Sequence, residues 1–577
     1  MSSMKSPALW LCAVLTLLAG PASAGELIIE QRIGEDGALL VRYTPPEGVR
    51  ELPLFDSSDT MATVWGDMAS PIDHCGTVTL KPRTHLQLQP GCASATFRIA
   101  PRVLSRYATY EPAFAIGPAA VMSYTGYYAA ALPGHALRWR WVPERGGSAI
   151  VTGRVYTQAT DRLISADQVA AAIKNDGRTP AAGIALAANE YTMLGRAPME
   201  TLADGVLVHD GLLNAARLDA VRETLAQVTD RLARAYGVGP AGPWAVVASA
   251  SSAVRGLHGD VSPGRMMSLR FNEAAVSKNL ADSLRQTRWF VSHELTHWWD
   301  TGVYRTDHDR PWIHEGHADW MAGLLMREAG DFDNDRWRAQ IDTALNNCQL
   351  ARRDRAAATL PTGFNREDEP YVCGHVTWLL AQSRRPRDAA PFDIAASLFR
   401  DSTAPIDAAA IARWADGGDA GAMHRLLLDA KQGWLSALKR DWGDVVEATA
   451  LKAGDTLPQP LSGRLTGALM AELMNADCGR MGFWTNADHF LIEAVPTCKT
   501  LRGDMRVRRI AGVSPFDDPV GAWLAVRAAC TAGQPVALTT DSPEPTPLAC
   551  PSPAPEMPIR DLLRLRPQAL ERLGLAR

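Results

Sequence analysis

Several potential metal ligands and acids are concentrated between positions 293 and 319. Segment 293–297 reads H-E-L-T-H, and segment 312–319 reads W-I-H-E-G-H-A-D. Histidines four residues apart lie on one face of a helix. Two imidazoles and a carboxylate give Zn²⁺ three ligands and leave a fourth position for a water, whose pKa falls to about 7. We therefore predict a site for one zinc ion with His293, His297 and Glu315 as ligands.

Two further acids have predicted roles at this site. Glu294 lies between the two histidines, where it could take a proton from the water. Asp319 follows Glu315 by one helical turn and could accept the second N–H of a ligating histidine, which would fix its tautomer. The neighbouring histidines, His308, His314 and His317, are predicted not to be ligands. The alternative is a pair of polar helices with a coincidental histidine spacing, against which the downstream Glu and Asp argue.

The N-terminus is typical of a signal peptide. Lys5 supplies the positive charge, residues 8–20 are apolar but too few to span a bilayer comfortably, and Ala22-Ser23-Ala24 is a cleavage motif. We predict that residues 1–24 are removed and that the protein is secreted or periplasmic, with no membrane span left. The alternative is an uncleaved anchor helix.

Cysteine usage agrees with an oxidising compartment. Of the nine cysteines, Cys12 lies in the predicted signal peptide, and an even number remains. Many connectivities are open to them, but the spacing favours sequential pairs. These pairs are Cys75 with Cys92, Cys348 with Cys373, Cys478 with Cys498, and Cys530 with Cys550.

Length and periodicity predict several domains of different class. A chain of 577 residues is too long for one core. Residues 25–144 alternate apolar and polar positions between turns, which indicates short strands and a β-sandwich. Strands and helices mix over 145–330, helical periodicity covers 331–455, and strands return after it. The net charge of −4 without a basic stripe argues against a nucleic-acid partner.

The zinc motif now carries a family resemblance. Segment 293–319 resembles the gluzincin metallopeptidases, and more narrowly the glycyl aminopeptidase family and the related aminopeptidase N family. The loop between His297 and Glu315 is one residue shorter than is usual in the aminopeptidase N pattern. The resemblance implies a thermolysin-like zinc catalytic domain over residues 145–330.

Two other segments fit the same families. Segment 371–375, Y-V-C-G-H, resembles their Tyr-x-x-Gly segment, which implies that the Tyr371 hydroxyl donates to the developing oxyanion. The alternative is a core tyrosine with a satisfied hydroxyl.

Segment 256–262, G-L-H-G-D-V-S, lies where these families carry a substrate-binding edge with a carboxylate for the α-amino group. We predict Gly256, Leu257, His258 and Asp260 as substrate-binding residues. The departure from the usual motif leaves two readings open: Asp260 replaces the carboxylate, or the enzyme is an endopeptidase. A surface turn is the alternative to both.

The C-terminal region resembles a PDZ domain. Segment 479–483, G-R-M-G-F, is similar to the PDZ carboxylate-binding loop, and a strand at 491–495, a helix at 519–530 and a strand at 535–540 follow it. The resemblance implies a PDZ-like domain over 456–545 that binds an extended peptide by strand addition, with a tail at 546–577. A generic small α+β domain is the alternative.

Taken together, the sequence predicts a multidomain α+β protein with an N-terminal β-sandwich, a thermolysin-like zinc catalytic domain, a helical domain and a PDZ-like domain. The predicted function is a secreted zinc peptidase that acts on peptide or protein substrates, in the first place an aminopeptidase for small N-terminal residues. The alternatives are a zinc endopeptidase, a zinc hydrolase of a non-peptide bond, and a non-catalytic protein that binds peptides through the PDZ-like domain.

Overall fold

The chain forms two compact units, residues 1–304 and 305–577. The computed structural model describes residues 25–54, 63–80, 84–103, 110–174, 190–240, 242–254, 256–262, 265–276, 279–303, 306, 310–352, 369–386, 389–418, 420–429 and 433–573. The predicted signal peptide and His308 lie outside these ranges. Among the helices of the described ranges, none has the length and apolar character needed to cross a membrane.

The first unit is mainly β structure. Its strands are β1 (Glu26–Ile33), β2 (Leu39–Thr44), β3 (Glu51–Pro53), β4 (Ala69–Pro71), β5 (Gly76–Thr79), β6 (His85–Leu88), β7 (Ala95–Ile99), β8 (Ala113–Ala115), β9 (Ala120–Tyr124), β10 (Ala136–Val142), β11 (Ser148–Val151), β12 (Arg154–Tyr156), β13 (Thr160–Ile164), β14 (Tyr191–Gly195), β15 (Met199–Thr201), β16 (Gly205–His209), β17 (Trp244–Ala250), β18 (Leu257–Ser262) and β19 (Met266–Phe271). They form one six-stranded sheet, β13-β10-β1-β2-β7-β4, two five-stranded sheets, β12-β11-β14-β9-β8 and β15-β16-β17-β19-β18, and a three-stranded sheet, β3-β6-β5.

Alternation explains how the first two sheets share a core. In β1, Leu27 and Ile29 are buried, whereas Glu26, Ile28 and Glu30, which alternate with them, are partly exposed, as expected of a strand with one covered face. Side chains of the six-stranded sheet and of β9, β11 and β14 belong to the same hydrophobic cluster. Because β14 pairs with β9, this β region continues past residue 144, where the sequence periodicity placed its end.

Four helices belong to the first unit: the first follows β13 in the chain, and the other three follow strands of the third sheet. They are α1 (Ala166–Lys174), α2 (Ala215–Tyr236), α3 (Glu273–Val276) and α4 (Leu280–His297). Helix α4 begins after Asn279, whose side chain accepts from the backbone N–H of Asp282, and it continues into π-helical turns over Trp298–Val303. Buried Arg217 on α2 donates to Thr287 and Ser283 of α4 at 2.6 and 2.9 Å. These bonds hold α4, which carries the histidine pair, against α2.

The second unit is helical in its first half. Its helices are α5 (Trp312–Glu328), α6 (Asn334–Arg352), α7 (Glu369–Gln382), α8 (Pro391–Asp401), α9 (Ala408–Asp416), α10 (Ala422–Leu428), α11 (Trp434–Asp441), α12 (Gln459–Cys478), α13 (Pro519–Thr531) and α14 (Pro567–Arg572). The periodicity of residues 423–438 predicts one helix, but this prediction was wrong. Helix α10 ends where Asp429 takes an extended conformation, and α11 begins after Gly433.

Short strands follow in the second half of this unit. They are β20 (Val446–Ala450), β21 (Phe483–Thr485), β22 (Phe490–Ile492), β23 (Arg506–Val507), β24 (Arg509–Ile510), β25 (Val536–Thr539), β26 (Thr546–Leu548) and β27 (Asp561–Leu565). They form sheets β21-β22-β23, β24-β25-β26 and β20-β27. Helix α13 and strand β25 fall where the PDZ resemblance placed them, whereas β22 is shorter than the strand predicted at 491–495.

The last residues are not the simple tail that the sequence predicted. Strand β27 pairs with β20 in antiparallel register, and its Leu563 exchanges two hydrogen bonds with the side chain of Asn346 on α6, at 2.7 and 2.9 Å. The backbone N–H of Leu565 donates to Asp342 at 2.6 Å. These contacts tie residues 561–565 to the helical part of the unit.

Asp342 makes the stability of this region depend on pH. Burial raises the pKa of its carboxyl from 3.8 to about 6, with the Leu565 hydrogen bond opposing the rise. The folded state therefore binds a proton more tightly than the unfolded state, and stability falls as the pH rises from about 4 to above 6. We expect Asp342→Asn, which keeps an acceptor for Leu565, to raise the free energy of unfolding by about 1–2 kcal/mol at pH 7.5 and by little at pH 4, because the partly exposed carboxyl keeps some hydration.

Urea unfolding of both proteins at the two pH values measures this difference. An equal effect at both would show that the charge of Asp342 does not matter.

The predicted mixed α and β multidomain character is confirmed, and so are the four sequential disulfides, Cys75–Cys92, Cys348–Cys373, Cys478–Cys498 and Cys530–Cys550. The assignment of the parts to a β-sandwich, a thermolysin-like domain, a helical domain and a PDZ-like domain stays a prediction.

Candidate active site

The two histidines of the H-E-x-x-H segment face each other at the end of α4. His293 and His297 are 7% and 8% exposed, and their Nε2 atoms lie 3.3 Å apart. Two nitrogens that are each about 2.0–2.1 Å from a tetrahedral zinc ion are about 3.3 Å from one another. The spacing of the two nitrogens therefore fits a shared zinc ion.

A buried carboxylate orients one of these rings. Asp300, which is fully buried, lies 3.1 Å from Nδ1 of His297. A carboxylate at Nδ1 holds the proton there and leaves Nε2 with a free lone pair for a metal. Asp300 was not among the predicted site residues, although its position three residues after His297, on the same face of the helix, was the available signal.

We expect Asp300→Ala to weaken zinc binding. Without this carboxylate, the buried Nδ1–H of His297 loses its acceptor and the ring is no longer held in one tautomer. Loss of such a partner typically lowers metal affinity about 10- to 100-fold. Asp300→Asn keeps an acceptor oxygen and should lose less. Titration against a competing chelator measures the dissociation constant, with Asp282→Ala, at an exposed acid of the same helix, as the control. An unchanged constant in Asp300→Ala would contradict this role.

The third predicted ligand, Glu315, lies in the first turn of α5 and is 8% exposed. Its place as a ligand beside the histidine pair stays a prediction. Two other clusters in the described residues bring potential ligand atoms within 4.8 Å of one another: His74 with Cys75 and Cys92, and Asp477 with Cys478 and Cys498. Their cysteines are in disulfides, which offer no thiolate, so neither cluster suits zinc.

A pair of glycines determines how α5 meets α7. Gly316 follows Glu315, and Gly374 is the glycine of the Tyr-x-x-Gly segment. A Cβ atom at Gly374 would lie 2.6 Å from the Cα atom of Gly316 and nearer still to the carbonyl oxygen of Trp312. The two backbones are therefore in contact, which only glycines allow. This crossing places the turn that holds Glu315 beside the turn that begins with Tyr371.

Tyr371 lies in the first turn of α7 and is 39% exposed, so it is not the core tyrosine of the alternative reading. The start of α7 is anchored on both sides of it. The Cys348–Cys373 disulfide joins α7 to α6, and a fully buried ion pair joins Arg352 to Glu369 at 2.8 Å. An accessible phenol on a rigid turn can serve as a hydrogen-bond donor to a substrate.

The predicted substrate edge is strand β18, which ends the third sheet and lies against α4. A Cβ atom at Gly259 would be 2.6 Å from the ring of Phe290 and 2.9 Å from the carboxyl carbon of Glu294. Gly259 is therefore the residue of β18 that faces Glu294. The predicted substrate-binding residues Gly256 and Leu257 begin the same stretch, and the Gly256 carbonyl accepts from Asn272 at 2.7 Å.

His258 and Asp260 point to the other face of β18. Arg270 of β19, which is fully buried, donates to Nδ1 of His258 and to Oδ2 of Asp260, at 2.6 Å in both cases. Asp260 Oδ2 also accepts from the Tyr191 hydroxyl at 3.1 Å and from Ser268 at 3.3 Å. Burial lowers the pKa of His258, while the charge of Asp260 raises it and that of Arg270 lowers it.

The remaining predicted residues lie within α5. Asp319 is 8% exposed, and its charge acts on His375 of α7, whose pKa is lowered by burial and raised by Asp319. Its predicted bond to a ligating histidine stays a prediction. His317 is fully buried between the rings of Trp378 and Phe399, as expected for a core residue.

Comparison with known proteins shows a similar fold at very low sequence identity. No protein-family model and no curated protein matches the sequence. The crystal structure of an aminopeptidase N family protein from Idiomarina loihiensis superposes with a TM-score of 0.58 and 11% identity, covering 96% of this chain and 100% of that chain. Native yeast LTA4 hydrolase gives a TM-score of 0.39 and 11% identity over 79% of this chain and 72% of its own, which is too low to carry an argument. The first likeness shows a mixed α and β multidomain fold similar to that of the aminopeptidase N family protein.

Proposed function

We propose that the protein is a zinc-dependent peptidase with His293, His297 and Glu315 as the metal ligands. The observation that carries the proposal is the buried histidine pair, with Nε2 atoms 3.3 Å apart and with Asp300 on Nδ1 of His297. Two neutral imidazoles and a carboxylate are a common ligand set of hydrolytic zinc sites. The fold similar to that of an aminopeptidase N family protein adds support.

The chain's own residues supply the acid, the base and the oxyanion donor. When bound, zinc supplies Lewis acidity, which polarises a carbonyl group and acidifies a water. Glu294 accepts a proton from the attacking water and passes it to the leaving amine. Tyr371, in the role that the family resemblance implies, donates a hydrogen bond to the developing oxyanion.

The finer parts of the proposal concern location and ligands. The signal-like N-terminus and the disulfides support export to an oxidising compartment, and the first residue of the mature protein would then be near Gly25. For the region 456–545, exposed Trp484 on the edge strand β21 and exposed Met481 just before that strand support PDZ-like binding of an extended peptide. For specificity, the family resemblance implies cleavage after a small N-terminal residue, which would require an anion for the α-amino group, and an endopeptidase is the alternative that the sequence left open.

The proposal is tested on the purified mature chain. We expect about one zinc per chain by elemental analysis and hydrolysis of fluorogenic peptides that stops with a chelator and returns with added zinc. An inactive protein with full zinc content would instead favour the non-catalytic peptide-binding function. Activity that resists complete metal removal would contradict a zinc peptidase.

A further inference from the structure

Resting on the proposed function, we infer that the substrate edge does not bind a free α-amino group, so that the enzyme cleaves peptides whose N-terminus is blocked or lies further from the scissile bond. The two faces of β18 carry different residues, and only one face lies beside Glu294. Of the two readings that the sequence left open, Asp260 as the amine-binding carboxylate or an endopeptidase, this arrangement favours the endopeptidase.

The face of β18 beside Glu294 carries no charge. Successive residues of a strand point to opposite faces, and Gly259 is the one that faces Glu294 and Phe290. His258 and Asp260 are therefore on the opposite face, as their bonds to Arg270 and Tyr191 show. Where an aminopeptidase would need an anion, this strand presents a glycine and its own backbone.

The carboxylates behind the strand are already neutralised. Asp260 is the only acid in the fully described strands β18 and β19, and its Oδ2 accepts from Arg270, Tyr191 and Ser268. Arg270 also pairs with buried Glu111 at 2.7 Å. If Asp260 turned to a substrate amine, the fully buried guanidinium of Arg270 would lose one of its two counter-charges, which is strongly unfavourable in a dry interior.

An amine without an anion is unfavourable beside this site. An α-ammonium group that enters this site loses hydration without gaining a counter-ion from β18, whereas the neutral amide of a longer or acetylated peptide has less hydration to lose. The amide can also use the outer edge of β18, since β18 is the last strand of its sheet and the backbone of an edge strand can hydrogen-bond an extended chain. Electrostatics and backbone pairing thus favour the same class of substrate.

The test compares two fluorogenic peptides on the zinc-loaded full mature chain. They differ only in whether the residue before the scissile bond carries a free or an acetylated N-terminus. We expect kcat/KM for the acetylated peptide to equal or exceed that for the free peptide. A preference of about ten-fold or more for the free amine would overturn the inference and leave the zinc peptidase intact. Cleavage of neither peptide, with zinc bound, would overturn the proposed function and the inference together.

Asp260→Asn provides a second measurement. Because Asp260 is assigned to Arg270 and not to substrate, the ratio of the two kcat/KM values should change by less than about two-fold, even if the variant folds in lower yield, since a ratio is independent of the amount of active protein. A selective loss of free-amine cleavage, with acetylated cleavage unchanged, would identify Asp260 as the amine anchor and overturn the inference.

Discussion

Glu294→Gln should lower kcat by about 10²- to 10⁴-fold while zinc binding stays intact. The amide has the same shape as the carboxylate but cannot accept a proton from the attacking water. Glu294 is 7% exposed and lies against Gly259, so an isosteric replacement should disturb the packing little. Steady-state kinetics, zinc content and thermal unfolding of the same preparation separate loss of chemistry from loss of metal or of structure.

The matched control is Glu223→Gln, at an exposed glutamate on α2. It removes one negative charge from the same unit without touching α4, and we expect unchanged turnover. If Glu294→Gln retained more than about a tenth of wild-type kcat, Glu294 would not be the general base.

Gly374→Ala should damage both stability and activity. The added Cβ would press on the backbone of Gly316 and Trp312, which cannot rotate away as a side chain could. Overpacking of this kind usually costs about 1–3 kcal/mol and more where backbone is involved. Helices α5 and α7 must separate, and because Glu315 and Tyr371 start the contacting turns, a shift of about 1 Å is expected to lower kcat/KM by about 100-fold.

Gly467→Ala on α12 is the control for that substitution. The same Cβ meets no atom within 4 Å there, and alanine favours a helix, so stability should rise by up to about 1 kcal/mol with activity unchanged. Urea unfolding and kcat/KM of both variants measure the contrast. Wild-type stability and activity in Gly374→Ala would mean that the two helices do not need their close approach.

Local features of the site could be predicted, and features that depend on distant partners could not. The histidine pair follows from a four-residue spacing on one helix, and the disulfides follow from cysteines close in sequence. The Arg270 network could not be predicted, because Glu111, just before β8, and Tyr191 of β14 are far from Arg270 in the sequence. The close approach of Gly316 and Gly374 could not be predicted either, because the two glycines belong to motifs that are separate in the sequence. The structure shows that each motif needs its glycine for this contact.

The fold was predictable to a similar extent. Strands β17 and β19 are continuous apolar runs within the region 145–330 where strands and helices were predicted to mix, and a buried strand can be recognised from such a run alone. The return of β14 to pair with β9, and of β27 to pair with β20, depends on pairing between segments far apart in the chain, which periodicity does not report.

The order of the disulfides has a consequence for how the protein is made. The eight cysteines of the described residues pair in chain order, first with second, third with fourth and so on, over separations of 17 to 25 residues, so none of these bridges encloses another. A chain that enters an oxidising compartment N-terminus first can form each disulfide before the next pair of cysteines appears. No other reduced cysteine is then present to form a non-native bond. We therefore expect production in bacteria to need a thiol oxidase but not a disulfide isomerase, so that deleting the isomerase of the host leaves the yield of active enzyme unchanged while deleting the oxidase lowers it.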